Sequence, residues 1–144
     1  MAPSNFSLIF FAVSIFIANA AHAIDLTKLP GVVAESGRVG FVFPAAKSLL
    51  VNKRVTIAHD VSSVCSFVID DGPDAVDVIF QTGMADTGGA CGFSKSGAGT
   101  LRVEGDVLLG GVITIYDGTL DLSAARLKEG ARINLMGDAK MMLP

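Results

Sequence analysis

The densest grouping of chemically competent side chains is Asp70-Asp71-Gly72-Pro73-Asp74, followed by Asp77. Carboxylates this close are hard oxygen ligands, so Asp70, Asp71, Asp74 and Asp77 form a candidate Ca2+ set. The spacing lacks the alternating ligands and terminal Glu of an EF-hand. Asp-Asp-Gly-Pro is also good turn chemistry, which makes a turn the first expectation and a metal the second. Paired acids serve sugar-cleaving enzymes too, but those need two carboxyls fixed across a groove with binding aromatics beside them. The chain has no Trp and a single Tyr, Tyr116. His59 stands beside Asp60 and near Ser62 and Ser63. Neighbours along a strand point apart, whereas a hydrolase triad gathers its members from separate elements. The run from Gly89 to Ser96 has the look of a phosphate loop, yet that motif needs Gly directly before Lys, and Ser94 holds the place. No GxSxG or HExxH occurs. The expectation is no catalytic residue and no cofactor.

The elements that must position these groups begin after residue 23. Phe6 to Ile17 is an apolar run, and Ala21-His22-Ala23 offers small residues for cleavage, so residues 1–23 read as a signal peptide removed after Ala23. No Lys or Arg precedes the run. It is also short for a spanning helix, and no transmembrane segment is expected once it is gone. Residues 24–144 then form a single β-rich repeat domain, secreted or held at the cell surface, the periplasm included if the chain is bacterial. The net charge of −3 is spread along the chain with no Lys/Arg-rich run, so nucleic acid is not an expected partner.

Alternation dominates the sequence. Leu101 and Val103 share a face, as do Ile113 and Ile115, and then Leu120 and Leu122, while Thr100, Arg102, Glu104, Thr114, Tyr116 and Asp121 point the other way. Val55 and Ile57 are expected inward against Arg54 and Thr56, and Val76, Val78 and Phe80 inward against Asp77 and Ile79. Ala131-Ile133-Leu135 and Ala139-Met141-Leu143 alternate in the same way. Helix signals are sparse; Ala124 to Glu129 has room for one turn before Gly130 stops it.

The strands repeat. Val39-Gly40-Phe41, Cys65-Ser66-Phe67 and Cys91-Gly92-Phe93 recur every 26 residues, and the spacing then shortens to 19 for Leu101 to Leu120, 20 for Ile113 to Ile133 and 21 for Leu120 to Met141. Short strands at such a period predict a solenoid, a short right-handed parallel β-helix, with a small β-sandwich as the alternative. Cys65 and Cys91 fall at the same place in the 26-residue unit, hence on neighbouring rungs about 4.8 Å apart. That lies within disulfide reach, and an exported chain with two cysteines is expected to pair them. Closing the loop would add about 3 kcal/mol.

The stretch 93–123 resembles the passenger-associated transport repeat of bacterial autotransporters. The resemblance rests on Lys95-Ser96-Gly97-Ala98-Gly99-Thr100-Leu101, the paired Gly110-Gly111, and Asp117-Gly118-Thr119-Leu120. It implies a surface or secreted β-helical passenger. An autotransporter also carries a C-terminal membrane barrel of many strands, for which residues 124–144 have no room. The expectation is therefore either a detached passenger-like piece exported by the general route or a fragment of a longer chain, and the family's export role is not carried over.

Together these readings predict a non-enzymatic passenger-like or adhesin-like module whose outward faces meet a surface glycan or a protein. The alternative is a carbohydrate-binding or polysaccharide-active β domain. A coil ending on apolar strands without a polar cap is further expected to self-associate through residues 131 to 143.

Overall fold

The structure, a computed structural model, describes residues 40–58, 65–86 and 91–144, together with the backbone of short strands at 7–9, 13–16 and 33–34. It is a parallel β-solenoid of about four turns with no helix among the described residues. The first rung is β4 (Gly40–Phe43), β5 (Leu49–Val51) and β6 (Val55–Ala58). The second is β7 (Cys65–Ile69), β8 (Val78–Phe80) and β9 (Met84–Asp86). The third is β10 (Phe93–Ser96), β11 (Thr100–Val103) and β12 (Gly105–Leu108). The fourth is β13 (Val112–Ile115), β14 (Thr119–Asp121) and β15 (Ala125–Leu127), and β16 (Arg132–Leu135) with β17 (Lys140–Met142) begins a fifth.

Each strand of a rung bonds to its counterparts above and below, which builds three sheets. Their registers define the interior columns. Leu49, Val78, Leu101, Leu120 and Met141 form one; Val55, Met84, Val107 and Leu127 form another. Residues of the two columns up to Leu120 and Val107 are buried, whereas Met141 and Leu127 pack against the core from the open end. Alternation therefore becomes burial, because a strand sends every second side chain to the same face. The aromatic heart is Phe67, whose ring lies 5.4 to 6.2 Å from those of Phe93, Phe80, Phe43 and Phe41. Such pairs each add about 0.5–1.5 kcal/mol beyond burial.

At the first end, β1 (Ser7–Ile9) and β2 (Val13–Phe16) pair in parallel with β5 and β6, and β3 (Val33–Ala34) lies antiparallel on β4. β1 and β2 fall inside the expected signal peptide. An apolar run serves a strand as well as a leader, so apolarity alone does not distinguish the two.

Two sequence expectations are corrected. Residues 124–129 carry strand β15 rather than a helical turn, since Leu127 continues the interior column of Val107 and Ala125, paired with Gly105, is buried on the same face. The 26-residue repeat holds from Phe41 to Phe67, which are register partners, but Phe93 pairs with Cys65 and Lys95 with Phe67. The third triplet is thus two residues out of the expected register. A two-residue slip keeps every side chain on its face, so the alternation survives while the equivalence of positions does not.

Candidate functional site

The slip places Lys95 in the interior column of Phe41, Phe67, Ile115 and Leu135. Its side chain is fully buried. The ammonium Nζ donates to the carbonyl oxygens of Gly97 at 2.8 Å, Asp117 at 3.0 Å and Ser96 at 3.3 Å. Three donors thus meet three acceptors at the corner where the turn 97–99 underlies the turn 116–118. Burial pushes the Lys95 pKa down to about 8, and the negative charges of Asp117 and Asp77 oppose that fall. Gly118 is required here. Its φ is +68°, and a Cβ on it would lie 2.3 Å from the Gly97 carbonyl oxygen and 2.6 Å from Lys95 Nζ.

One rung below, Asp77 occupies the same corner. Alternation points it outward, yet it is buried, because the eight-residue connection 70–77 folds over it. One of its carboxylate oxygens accepts from the Gly72 N–H at 2.7 Å and the other from the Thr100 N–H at 2.8 Å. Asp74 accepts from the Ser48 N–H at 2.7 Å, and the Ser48 hydroxyl donates to the Val76 carbonyl. Of the four proposed calcium ligands, Asp74 and Asp77 are therefore engaged with backbone donors, Asp71 is exposed and Asp70 is half-buried. No group of three or more His, Cys, Asp or Glu side chains suited to a metal occurs among the described residues.

Outward charges pair along the ladders. Arg102 and Asp121 are register partners, with Nε donating to the Asp121 carboxylate at 2.9 Å, and Asp106 and Arg126 repeat the arrangement at 2.7 Å. Asp121 is buried and also accepts from the Ser123 hydroxyl and N–H at 2.6 and 2.9 Å. Burial works to raise the Asp121 pKa, and the Ser123 and Arg102 interactions outweigh it and hold the carboxyl below its usual range.

Cys65 and Cys91 are buried thiols, and the structure has no disulfide between them. Neighbouring-rung equivalence fails for a specific reason: the register partner of Cys65 is Phe93, so Cys91 lies two residues earlier, in the connection that enters β10. Burial, with Cys91 nearby, pushes the Cys65 thiol well above its ordinary pKa, which suppresses the thiolate. His59, Asp60, Ser62 and Ser63 lie outside the described residues, as do Gly89 and Ala90 of the loop-like run. The remainder of that run enters strand β10.

Lys95 did not stand out as a site residue by motif. The signal that finds it is phase: in Phe93-Ser94-Lys95-Ser96 the lysine shares a face with Phe93, so alternation sends it inward. Chemically, the arrangement is a set of internal ties. The lysine is sealed from solvent with its donors committed, and the carboxylates that share its corner hold backbone N–H groups. No known family model, curated protein or solved structure matches the chain.

Proposed function

We propose that the chain is a non-enzymatic secreted or cell-surface β-helical module, passenger-like or adhesin-like, that offers its outward faces to a surface glycan or a protein partner. The observation that carries this reading is the use made of the polar groups. Lys95, Asp77, Asp74 and Asp121, the groups best suited to chemistry by burial or clustering, all spend their hydrogen bonds on holding rungs and turns together. A coil stiffened in this way is a scaffold, and recognition falls to exposed side chains such as Tyr116, 55% exposed beside Asp117. The resemblance of 93–123 to the autotransporter passenger repeat agrees with this role, and export by a leader at 1–23 belongs to it. Self-association through the C-terminal strands is part of the same proposal.

The test is retention on a panel of insoluble polysaccharides and immobilised surface proteins, with reducing ends assayed in the same tubes. The expected result is saturable retention on at least one surface, weakened by Tyr116→Ser, with no sugar released. Released reducing ends would replace this reading with that of a polysaccharide-active domain, and retention on no surface would remove the adhesive role.

A further inference from the structure

The two ends of the coil are finished differently. β1, β2 and β3 cover β5, β6 and β4 at the first end, whereas no strand lies beyond β15, β16 or β17 at the other among the described residues. The uncovered end is also the apolar one: Leu135, Met136, Met142 and Leu143 are 48–52% exposed there. An open edge strand with exposed apolar side chains is a template for another strand.

We propose that the 144-residue chain closes this end by pairing β16 with β16 of a second copy, antiparallel about a two-fold axis, to give a dimer that stops at two. The proposal rests on the self-association reading and specifies its geometry. Three observations select a second copy in this orientation. In the 144-residue chain, with residues 1–23 still attached, head-to-tail stacking meets a first end already occupied by β1 and β2. Removing or displacing β2 would not help, because Arg54 and Arg126 directly precede Val55 and Leu127, which share one column through Met84 and Val107. Stacking end on end in that register sets the two arginines directly opposite each other on strands about 4.8 Å apart, and like charges so placed are destabilising. The fold also already ends one sheet with an antiparallel strand, β3 on β4.

β16 is the longest of the three free edge strands, and Arg132 is its one charged residue. Side-chain parity then fixes the centre of the seam. Directly opposite residues in an antiparallel pair must share a face, so the axis passes through a residue and not between two. Centring on Asn134 sets Ile133 against Leu135 of the second copy twice over and keeps Arg132 away from its own image. Both apolar residues belong to interior columns, so the interior becomes continuous across the seam. An isologous contact of this kind uses the same patch on both copies and closes.

The experiment has two readouts on the full chain. Light scattering over a concentration series should show mass rising to twice that of the chain and no further. Under a mild oxidant, Asn134→Cys should give a reducible dimer, since opposed residues in an antiparallel pair have Cα atoms about 4.5 or 5.5 Å apart, within disulfide reach. The parent, whose two thiols are buried, should not. Leu135→Lys, at an exposed position that leaves the core intact, should hold the chain monomeric with an unchanged β-sheet spectrum. Growth to open-ended oligomers would keep self-association and overturn the two-fold seam. A strictly monomeric parent would overturn both, and an Asn134→Cys dimer population no larger than that of the parent would overturn the centring on Asn134.

Discussion

Lys95 lies one strand above Phe67 in the same interior column, so an ammonium group fills the level next to the most connected phenyl ring of the core. Its charge is tolerated because the carbonyls of two successive turns converge on it. In this position the lysine acts as a rivet between the turns 97–99 and 116–118.

The first prediction concerns pH. The Lys95 pKa falls from 10.5 to about 8 on folding, so between those values the unfolded chain binds a proton that the folded chain has released. Stability linked to this group therefore rises as pH climbs from about 8 to about 10.5. Lys95→Met has no such proton, so the parent should gain on the order of 2–3 kcal/mol relative to the variant across the window. Urea unfolding of both proteins at pH 7.5 and 10.5 reads the difference; parallel pH profiles would contradict it. Lys95→Ala should cost about 3 kcal/mol at neutral pH, because it leaves a cavity and orphaned carbonyls.

Asp121 predicts the acid limb. Its folded-state pKa lies below the ordinary 3.8, so its contribution is present above that value and is lost as pH falls through the folded pKa. Asp121→Asn should flatten this part of the acid unfolding curve. Asp121→Ala should cost about 2 kcal/mol at pH 7 by removing the acceptor shared by Arg102 and Ser123. Circular dichroism during acid titration distinguishes the three proteins.

Two glycines separate backbone strain from crowding. Gly118 and Gly130 both have positive φ, +68° and +76°, but a Cβ on Gly130 meets nothing within 4 Å, while one on Gly118 meets two carbonyl oxygens and Lys95 Nζ. Gly130→Ala should cost about 1 kcal/mol and Gly118→Ala at least about 3 kcal/mol. Equal losses in thermal unfolding would show that the corner yields more easily than its contacts indicate.

The cysteines predict silence. Folded protein should resist iodoacetamide at pH 8, and unreduced protein in denaturant should take up two equivalents, one on each of Cys65 and Cys91, as read by intact mass. Failure to alkylate without reductant would reveal a disulfide.

Alternation carried most of the fold. Leu101 and Val103, Ile113 and Ile115, and Val55 and Ile57 are inward where the period-2 pattern placed them, because strand geometry converts sequence phase directly into facing. Register was harder to read. The Phe41 to Phe67 spacing holds, whereas Phe93 lies over Cys65, because rung length is set by corner connections whose length alternation does not report. The expected disulfide drew on the even cysteine count of an exported chain and, for its geometry, on that register; the geometric part fails with the register, and the two thiols are not bonded. Asp77 and Asp121 were legible as outward but not as buried: a folded-over connection covers the first, and Arg102 with Ser123 encloses the second. Local phase does not encode either arrangement.

The corner of Lys95 is spanned by 70–77 in one rung and by 97–99 and 116–118 in the next two, while the strands on either side stay in step. Length is thus a free variable at the bends and a fixed one along the straight sides. A foreign peptide grafted into such a bend would be displayed at the rim of an unaltered shaft, and a short natural insertion there would change what the surface offers without a new fold having to evolve.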